Sequence, residues 1–414
     1  MEVKMQFSFL NNLFKSNIKD KALHKIDHLI DDNYIDSVCA KYYPSLSGKN
    51  GRRPYLPSIL VRIHLLFFIK GFSSFNKLLE AIAGNKDYLT FCNITIQNRK
   101  HVPSKGQLSQ FRSRIDSKTF DEILSYYVKL SLKYIKKLPL TCVMVDSVPI
   151  ESYTSNRKKK RCGHDYECDC PLTYTDVDAA KGKRTKTHRK SEYFIGYRKH
   201  SIYLYHPESD FRILLASIVK PANISDIEVL ESLVKKVIDN YRLHIDFLFA
   251  DQGYYDFEIL KRVLRDYGIK VQVKPKSNAT SKVNLNDKKI PICQMELPLQ
   301  WVEFNELTGE HIYRCHLEHP ECECIEHLSC EKLFTFTLDD SPVIFSPIPH
   351  HHRASKIFCN IRKLIEVEFA VLCNSYNIGN LKFRREQNFS TLSAFLETAR
   401  ILQKLSNLPE LAMT

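Results

Sequence analysis

Residues 141–150 read TCVMVDSVPI. Val143, Met144, Val145 and Val148 form a short apolar, largely β-branched run of the kind that sheets bury, and Asp146 interrupts it. An unpaired charge in an apolar strand is costly, so this aspartate calls for a cation, a hydrogen-bond partner or a strand edge. Downstream, YFIGYRKHSIYLY (193–205) and FRILLASIVK (211–220) read as two antiparallel strands. SDIEVLESLVKKVIDNY (225–241) is a helix capped by Ser225, and DFLFAD (246–251) is a strand ending on a second aspartate, Asp251. EILKRVLRDYG (258–268) gives another helix and IKVQVKP (269–275) another strand. Strand, hairpin, helix, strand, helix, strand describes a mixed α/β sheet.

Asp251 falls where the carboxyl end of a strand opens into a loop, the place where ligand sites of α/β sheets gather. Two acids on neighbouring strands suit two-metal phosphoryl chemistry, in which carboxylate oxygens hold a pair of divalent ions about 3.5–4 Å apart. The plainer reading is a strand-end aspartate that caps the next turn, and Asp246 is assigned that role.

Residues 1–138 read as an all-α domain for DNA binding or dimerisation. Ile59, Ile63, Leu66 and Ile69 recur at helical spacing, Ser74 caps a segment through Leu79 and Ile82, and Ser104 with Gln107 forms a capping box. Ser117 opens a long helix through Phe120, Ile123, Tyr127 and Leu130. Such helices are compatible with a helix-turn-helix reader and equally with an ordinary bundle. The catalytic core is expected over 139–275, with a polar, aperiodic loop at 151–192. An irregular acidic, Cys-rich insertion follows over 276–352. Helices at roughly 360–385 and 390–407 close the core over 353–414.

The chain has 414 residues and a net charge of +14, from 61 basic and 47 acidic side chains. A surplus of that size points to a polyanionic partner, because each neutralised phosphate releases counterions. The charge is uneven. Residues 151–200 carry 13 Lys/Arg against 7 Asp/Glu, whereas 293–340 carry 2 against 11. DNA is therefore expected to run past the first stretch and avoid the second. A run of about 18 apolar residues is absent, which argues against a membrane span. The opening MEVKMQFSFLNNLFKSN lacks a continuous apolar core and a cleavage site, so a cytoplasmic, nucleoid-associated protein is expected.

VMVDSVPI around Asp146, then YFIGYRKH, PANISDIEVLESL (221–233) and ADQGYYDFEILKRVLRDYGIKVQVKPK (250–276), resemble in order the catalytic core of the DDE transposases of bacterial insertion sequences. GRRPYLPSILVRIHLLFFIKGFSSFNKLLEAIAGN (51–85) and PSKGQLSQFRSRI (103–115) resemble the helical domain that precedes that core. The resemblance covers roughly residues 50–275 and 355–400. It implies an RNase H-like fold with Asp146, Asp251 and a glutamate as ligands of two Mg²⁺ (or Mn²⁺) ions. It also implies hydrolysis of double-stranded DNA at transposon ends to free a 3′-hydroxyl, then strand transfer into target DNA by a synaptic homodimer.

The family expects an arginine, three residues and then the catalytic glutamate. IRKLIEVEF (361–369) supplies Arg362 and Glu366, one helical turn apart. Glu368, on the apolar stripe between Leu364 and Leu372, is the rival third acid. Cys359 stands where the family often has tyrosine and Cys373 where it expects lysine, positions that normally help grip DNA. A non-catalytic DNA-binding protein derived from a transposase, or a nuclease of the same fold without strand transfer, are the alternatives.

Basic residues just downstream of Asp146 are the expected DNA-backbone contacts: Arg157, Lys158, Lys159, Lys160 and Arg161, then Lys183, Arg184, Lys186 and Arg189. Arg198, Lys199 and His200, on the hairpin beside Asp146, and Arg362 join them. The rival reading is a solvated charge run.

Thirteen cysteines, an odd number without an export signal, favour thiols or metal ligands over disulfides. Cys315, Cys322, Cys324 and Cys330, with neighbouring histidines, form the preferred candidate for structural Zn²⁺. Cys162, Cys168 and Cys170 with His164 form the second; free thiols are the alternative for both. Trp301, the single tryptophan, is expected to pack rather than to stack on a base, given the acidic surroundings.

Overall fold

A computed structural model describes residues 18–408, apart from 43–53, 95–101, 135–139, 165–167, 186–190, 207–210, 277–278, 307, 316–332, 338, 342, 344–345 and 377. Its N-terminal part is helical: α1 (Lys21–Leu29), α2 (Asp32–Cys39), α3 (Pro57–Ile69), α4 (Phe75–Gly84), α5 (Lys86–Phe91), α6 (Lys105–Arg114) and α7 (Ser117–Lys133). Local signals set these ends. Ser74 caps α4, and Ser104 and Gln107 close the reciprocal capping box on α6. Helix α3 is buried on nearly every side, and its Arg62 is neutralised inside by Asp27 at 2.5 Å and Asp32 at 2.6 Å.

The strands follow: β1 (Cys142–Glu151), β2 (Ala180–Thr185), β3 (Ser191–His206) and β4 (Phe211–Pro221). Then come α8 (Asp226–Tyr241), β5 (Phe247–Ala250), α9 (Phe257–Tyr267) and β6 (Lys270–Val273). The sheet order is β2-β3-β1-β5-β6, with β4 also on β3. β1 is antiparallel to β3 and parallel to β5, and β5 is parallel to β6. The stretch that opened the reading is thus the middle strand of a mixed sheet, with Val143, Met144 and Val145 buried. Gly196 is required where β3 crosses the end of β1. A Cβ there would lie 2.0 Å from the Ile150 carbonyl oxygen.

The stretch 151–192 is not simply a loop. β1 runs to Glu151, and β2 pairs with the start of β3 from Ala180↔Gly196 to Thr185↔Ser191. AKGKRT lacks the apolar alternation of a half-buried strand because it lies at the sheet edge and takes its order from its partner.

Within the expected irregular insertion, β7 (Gln300–Asn305), β8 (Glu310–Arg314) and β9 (Leu333–Phe336) form a separate antiparallel sheet. Leu299 and Tyr313 make its small core, with Trp301, Phe334 and Phe336 packed against them. Trp301 donates its indole N–H to His311 at 3.2 Å and meets the His352 ring edge-on, so it packs as expected.

The chain closes with α10 (Arg353–Asn374) and α11 (Glu386–Ser406). The first starts earlier and ends sooner than its expected span. Helix α11 is almost wholly buried and touches α1, α3, α7 and β4, so one apolar cluster runs from Ile18 to Leu405. Among the described residues no helix is long and apolar enough to cross a membrane.

Candidate active site

β1 and β5 set the first two acids. Their parallel register pairs Met144 with Phe249, and two residues further on that register brings Asp146 level with Asp251. β5 ends at Ala250, and Asp251 begins the next turn by accepting the Gly253 N–H at 2.8 Å. Asp146 accepts the Ser147 N–H at 2.7 Å.

Burial, then the charge of Asp251, raises Asp146 to about 7; the Ser147 hydrogen bond and Arg362 only partly offset this. Asp251 is also raised by burial, with Asp226 repelling it. Carboxylates so destabilised in their charged form are hard oxygen donors that a divalent cation would stabilise. The pair therefore fits such an ion.

Helix α10 lies across this end of the sheet. Phe358 stacks on Phe249, with ring centres 5.0 Å apart, while Ile365, Phe369 and Leu372 are buried. Seating that face presents Arg362 toward Asp146, with Glu366 one turn further along the helix. Arg362 Nη2 lies 2.7 Å from Glu366 and Nη1 lies 3.6 Å from Asp146. The guanidinium thus stands between the first and third expected acids. Asp146, Asp251 and Glu366 do not all come within 4.8 Å of one another. Glu368, the rival, is 3% exposed and held by Arg400, by Lys404 at 3.1 Å and by Arg212 at 2.9 Å. Three cations saturate it inside the fold.

A fourth acid escaped the sequence reading. Asp226, the first residue of α8, lies 3.2 Å from His200 Nδ1. Burial alone would raise its pKa, but the neighbouring His200 and Ser147 outweigh that and hold it below the ordinary value. A Cβ on Gly253 would lie 3.0 Å from oxygens of both Asp226 and Asp251, so the glycine admits both carboxylates. The clue lies in SDIE, where the serine reads as a cap and draws notice away from the acid beside it.

The basic residues divide. Arg157, Lys158, Lys159, Lys160, Arg161 and Lys183 are exposed. Lys199 and His200, expected at the DNA, are fully buried, which removes them as direct phosphate contacts. Lys199 pairs with Glu397, and His200 faces Asp226 and the Tyr254 hydroxyl. Neighbouring side chains on a strand point to opposite faces, and here both faces are covered, Lys199 by α11 and His200 by α8 with the turn after β5. Arg198, half-buried, donates to Ser147 Oγ at 3.1 Å and to the Lys183 carbonyl. Arg184 is engaged by Glu151 at 2.6 Å and Glu192 at 3.0 Å rather than free. Lys186 and Arg189 lie outside the described residues.

Between β5, β6 and α10 a cleft of about 260 Å³ is lined by Asp251, Gln252, Lys274, His350, Arg362 and Lys363, among others. Lys274 and Lys363 were not singled out from the sequence. Cys359, standing where the family often has tyrosine, lines the same cleft.

Of the preferred zinc cluster only Cys315 lies among the described residues; Cys322, Cys324 and Cys330 fall outside them. The other cluster is assembled: the ligand atoms of Cys162, His164, Cys168 and Cys170 all lie within 4.8 Å of one another.

The mixed sheet thus carries one acid within β1, a second just past the end of β5, and an arginine-linked glutamate on the helix across them. The chain belongs to the transposase DDE domain family, whose model matches residues 140–401, and a transposase domain (DUF772) matches residues 11–114. No curated protein matches the chain. It is similar to a solved structure described as the piggyBac transposase synaptic complex with hairpin DNA, at 10% identity and a TM-score of 0.38. That match covers 95% of this chain and 74% of the other.

Proposed function

We propose that this transposase hydrolyses double-stranded DNA at the ends of a mobile element and joins the freed 3′-hydroxyl to target DNA. In this reading Asp146, Asp251 and Glu366 are the catalytic acids. The observation that carries it is the placement of Asp146 level with Asp251 on adjoining parallel strands, with Arg362 reaching from Asp146 to Glu366. The strand order supports an RNase H-like sheet.

Asp146, Asp251 and Glu366 would hold two Mg²⁺ or Mn²⁺ ions, which when bound supply activation of the attacking oxygen and stabilisation of the leaving oxygen. Around that centre the chain's own groups orient and neutralise. Arg362 holds positive charge between Asp146 and Glu366 and presents a fork suited to carboxylate or phosphate. His200 and Ser147 keep Asp226 ionised beside Asp251. Lys274 and Lys363 line the cleft next to Asp251, where a DNA strand end would enter. The saturation of Glu368 by three cations favours Glu366 as the third acid. The synaptic complex is proposed to be a homodimer, and the N-terminal helices its DNA-binding or dimerising part.

Asp146→Asn should lower cleavage of transposon-end DNA at least ~100-fold, on the scale of removing one preorganised electrostatic group, while DNA affinity is retained. Full end cleavage by that variant would sink the assignment. Cleavage without joining, in a strand-transfer assay, would leave the nuclease reading. DNA binding without either would leave the non-catalytic one.

A further inference from the structure

Between β1 and β2 the chain makes a long arc. Among its described residues from Ser152 to Asp178 no apolar side chain is buried, and Tyr153, Leu172 and Val177 are exposed. Its base is secured by polar contacts. Lys159 and Thr173 exchange backbone hydrogen bonds of 2.9 and 3.0 Å, and Arg161 reaches the Tyr174 carbonyl and Thr175 Oγ1. Asp176 is fully buried and accepts from Ser152, from Tyr197 at 2.8 Å and from the Arg385 N–H at 3.0 Å, tying the arc's end to β3 and to α11.

Beyond those anchors the tip is held by side chains of another kind. Cys162 Sγ lies 3.2 Å from Cys168 Sγ, and Cys170 Sγ lies 3.6 Å from His164 Nδ1. Three thiols and an imidazole from nine consecutive positions thus converge. Among the described residues no other group of three or more Cys, His, Asp or Glu side chains does so. With Zn–S near 2.3 Å and Zn–N near 2.0–2.1 Å, tetrahedral ligands sit about 3.5–3.8 Å apart; the thiol–imidazole pair is already at 3.6 Å, and the thiol pair at 3.2 Å would open slightly around an ion. The donor set, soft sulfur with one nitrogen, selects Zn²⁺ over the hard ions that suit Asp146 and Asp251.

We propose that Cys162, His164, Cys168 and Cys170 bind one structural Zn²⁺, which orders the arc and holds the exposed run Arg157–Arg161 as a preformed contact for a nucleic-acid backbone. The Lys160 ammonium already donates to the Cys168 carbonyl, so the basic run and the ligand turn are coupled. The DNA-contact half rests on the proposed function; zinc binding does not.

Full-length protein purified under reducing conditions tests both halves. Zinc content measured by mass spectrometry should fall by one equivalent per chain in Cys168→Ser/Cys170→Ser and not in Cys359→Ser/Cys373→Ser, whose thiols are exposed and belong to no such cluster among the described residues. In the wild-type protein, trypsin should cut after Arg157–Arg161 much faster once a chelator has removed zinc, a readout that does not depend on how either variant folds. Unchanged zinc in the first variant, or cleavage indifferent to zinc, overturns the site. Affinity of that variant for a short duplex at fixed salt should drop several-fold. Loss of zinc with unchanged affinity overturns the positioning role alone, and loss of DNA cleavage in Asp146→Asn bears on neither measurement.

Discussion

Glu366 and Glu368 stand two residues apart on one helix and meet opposite environments. Glu366 is 58% exposed beside Arg362, whereas Glu368 is sealed among Arg212, Arg400 and Lys404. Removing one partner of a buried ion pair leaves the others uncompensated and typically costs about 3–5 kcal/mol. Glu368→Gln should therefore lower unfolding free energy in denaturant titration by that order. Glu366→Gln should leave stability nearly unchanged and lower DNA cleavage at least ~100-fold. Reversal of the two phenotypes would transfer the catalytic role to Glu368. Spacing from Arg362 favours Glu366 but does not exclude its neighbour, because the cations around Glu368 come from β4 and α11, far along the chain. Lys199 and His200 mislead for the same reason. Their burial depends on Glu397 and Asp226, which sequence neighbours do not reveal.

Helices and strands whose signals are local were legible: the capping box of Ser104 and Gln107, the apolar run around Asp146 and the ADQG turn after β5. Strand β2 was not, since its order comes from pairing with β3. Contacts between elements carry their own pH dependence. Asp36 on α2 accepts the Ser58 N–H at 2.7 Å and its hydroxyl at 3.0 Å at the start of α3. Burial nonetheless raises it from 3.8 to about 6. Between those values the folded chain keeps a proton that the unfolded chain has released. This contribution to stability is present below about pH 4 and lost as pH rises through about 6. Asp36→Asn should remove that loss. The variant's melting temperature, relative to wild type, should rise between pH 4 and pH 7, and a constant difference would refute the linkage.

At the scale of the molecule, charge is segregated. The exposed run Arg157, Lys158, Lys159, Lys160 and Arg161 lies on the arc that follows β1, while the stretch 293–340 is strongly acidic. Replacing the five basic residues by alanine should weaken duplex binding across sequences alike. It should also flatten the plot of log affinity against log salt by about 0.9 for each phosphate that the protein no longer neutralises. An unaltered slope in a salt titration would mean that the run stays solvated in the complex.

Helix α11 reaches from the N-terminal helices to the sheet: Gln387 donates to the Ile115 carbonyl, and Glu397 pairs with Lys199 in β3. Its partners are thus made hundreds of residues before it is. During synthesis β3 must wait with a buried-type lysine uncompensated, and α3 and α7 with apolar faces uncovered, until residues 386–406 leave the ribosome. A message truncated upstream of α11 would therefore yield a chain with an open interior, recognisable to chaperones and proteases, rather than a smaller working enzyme.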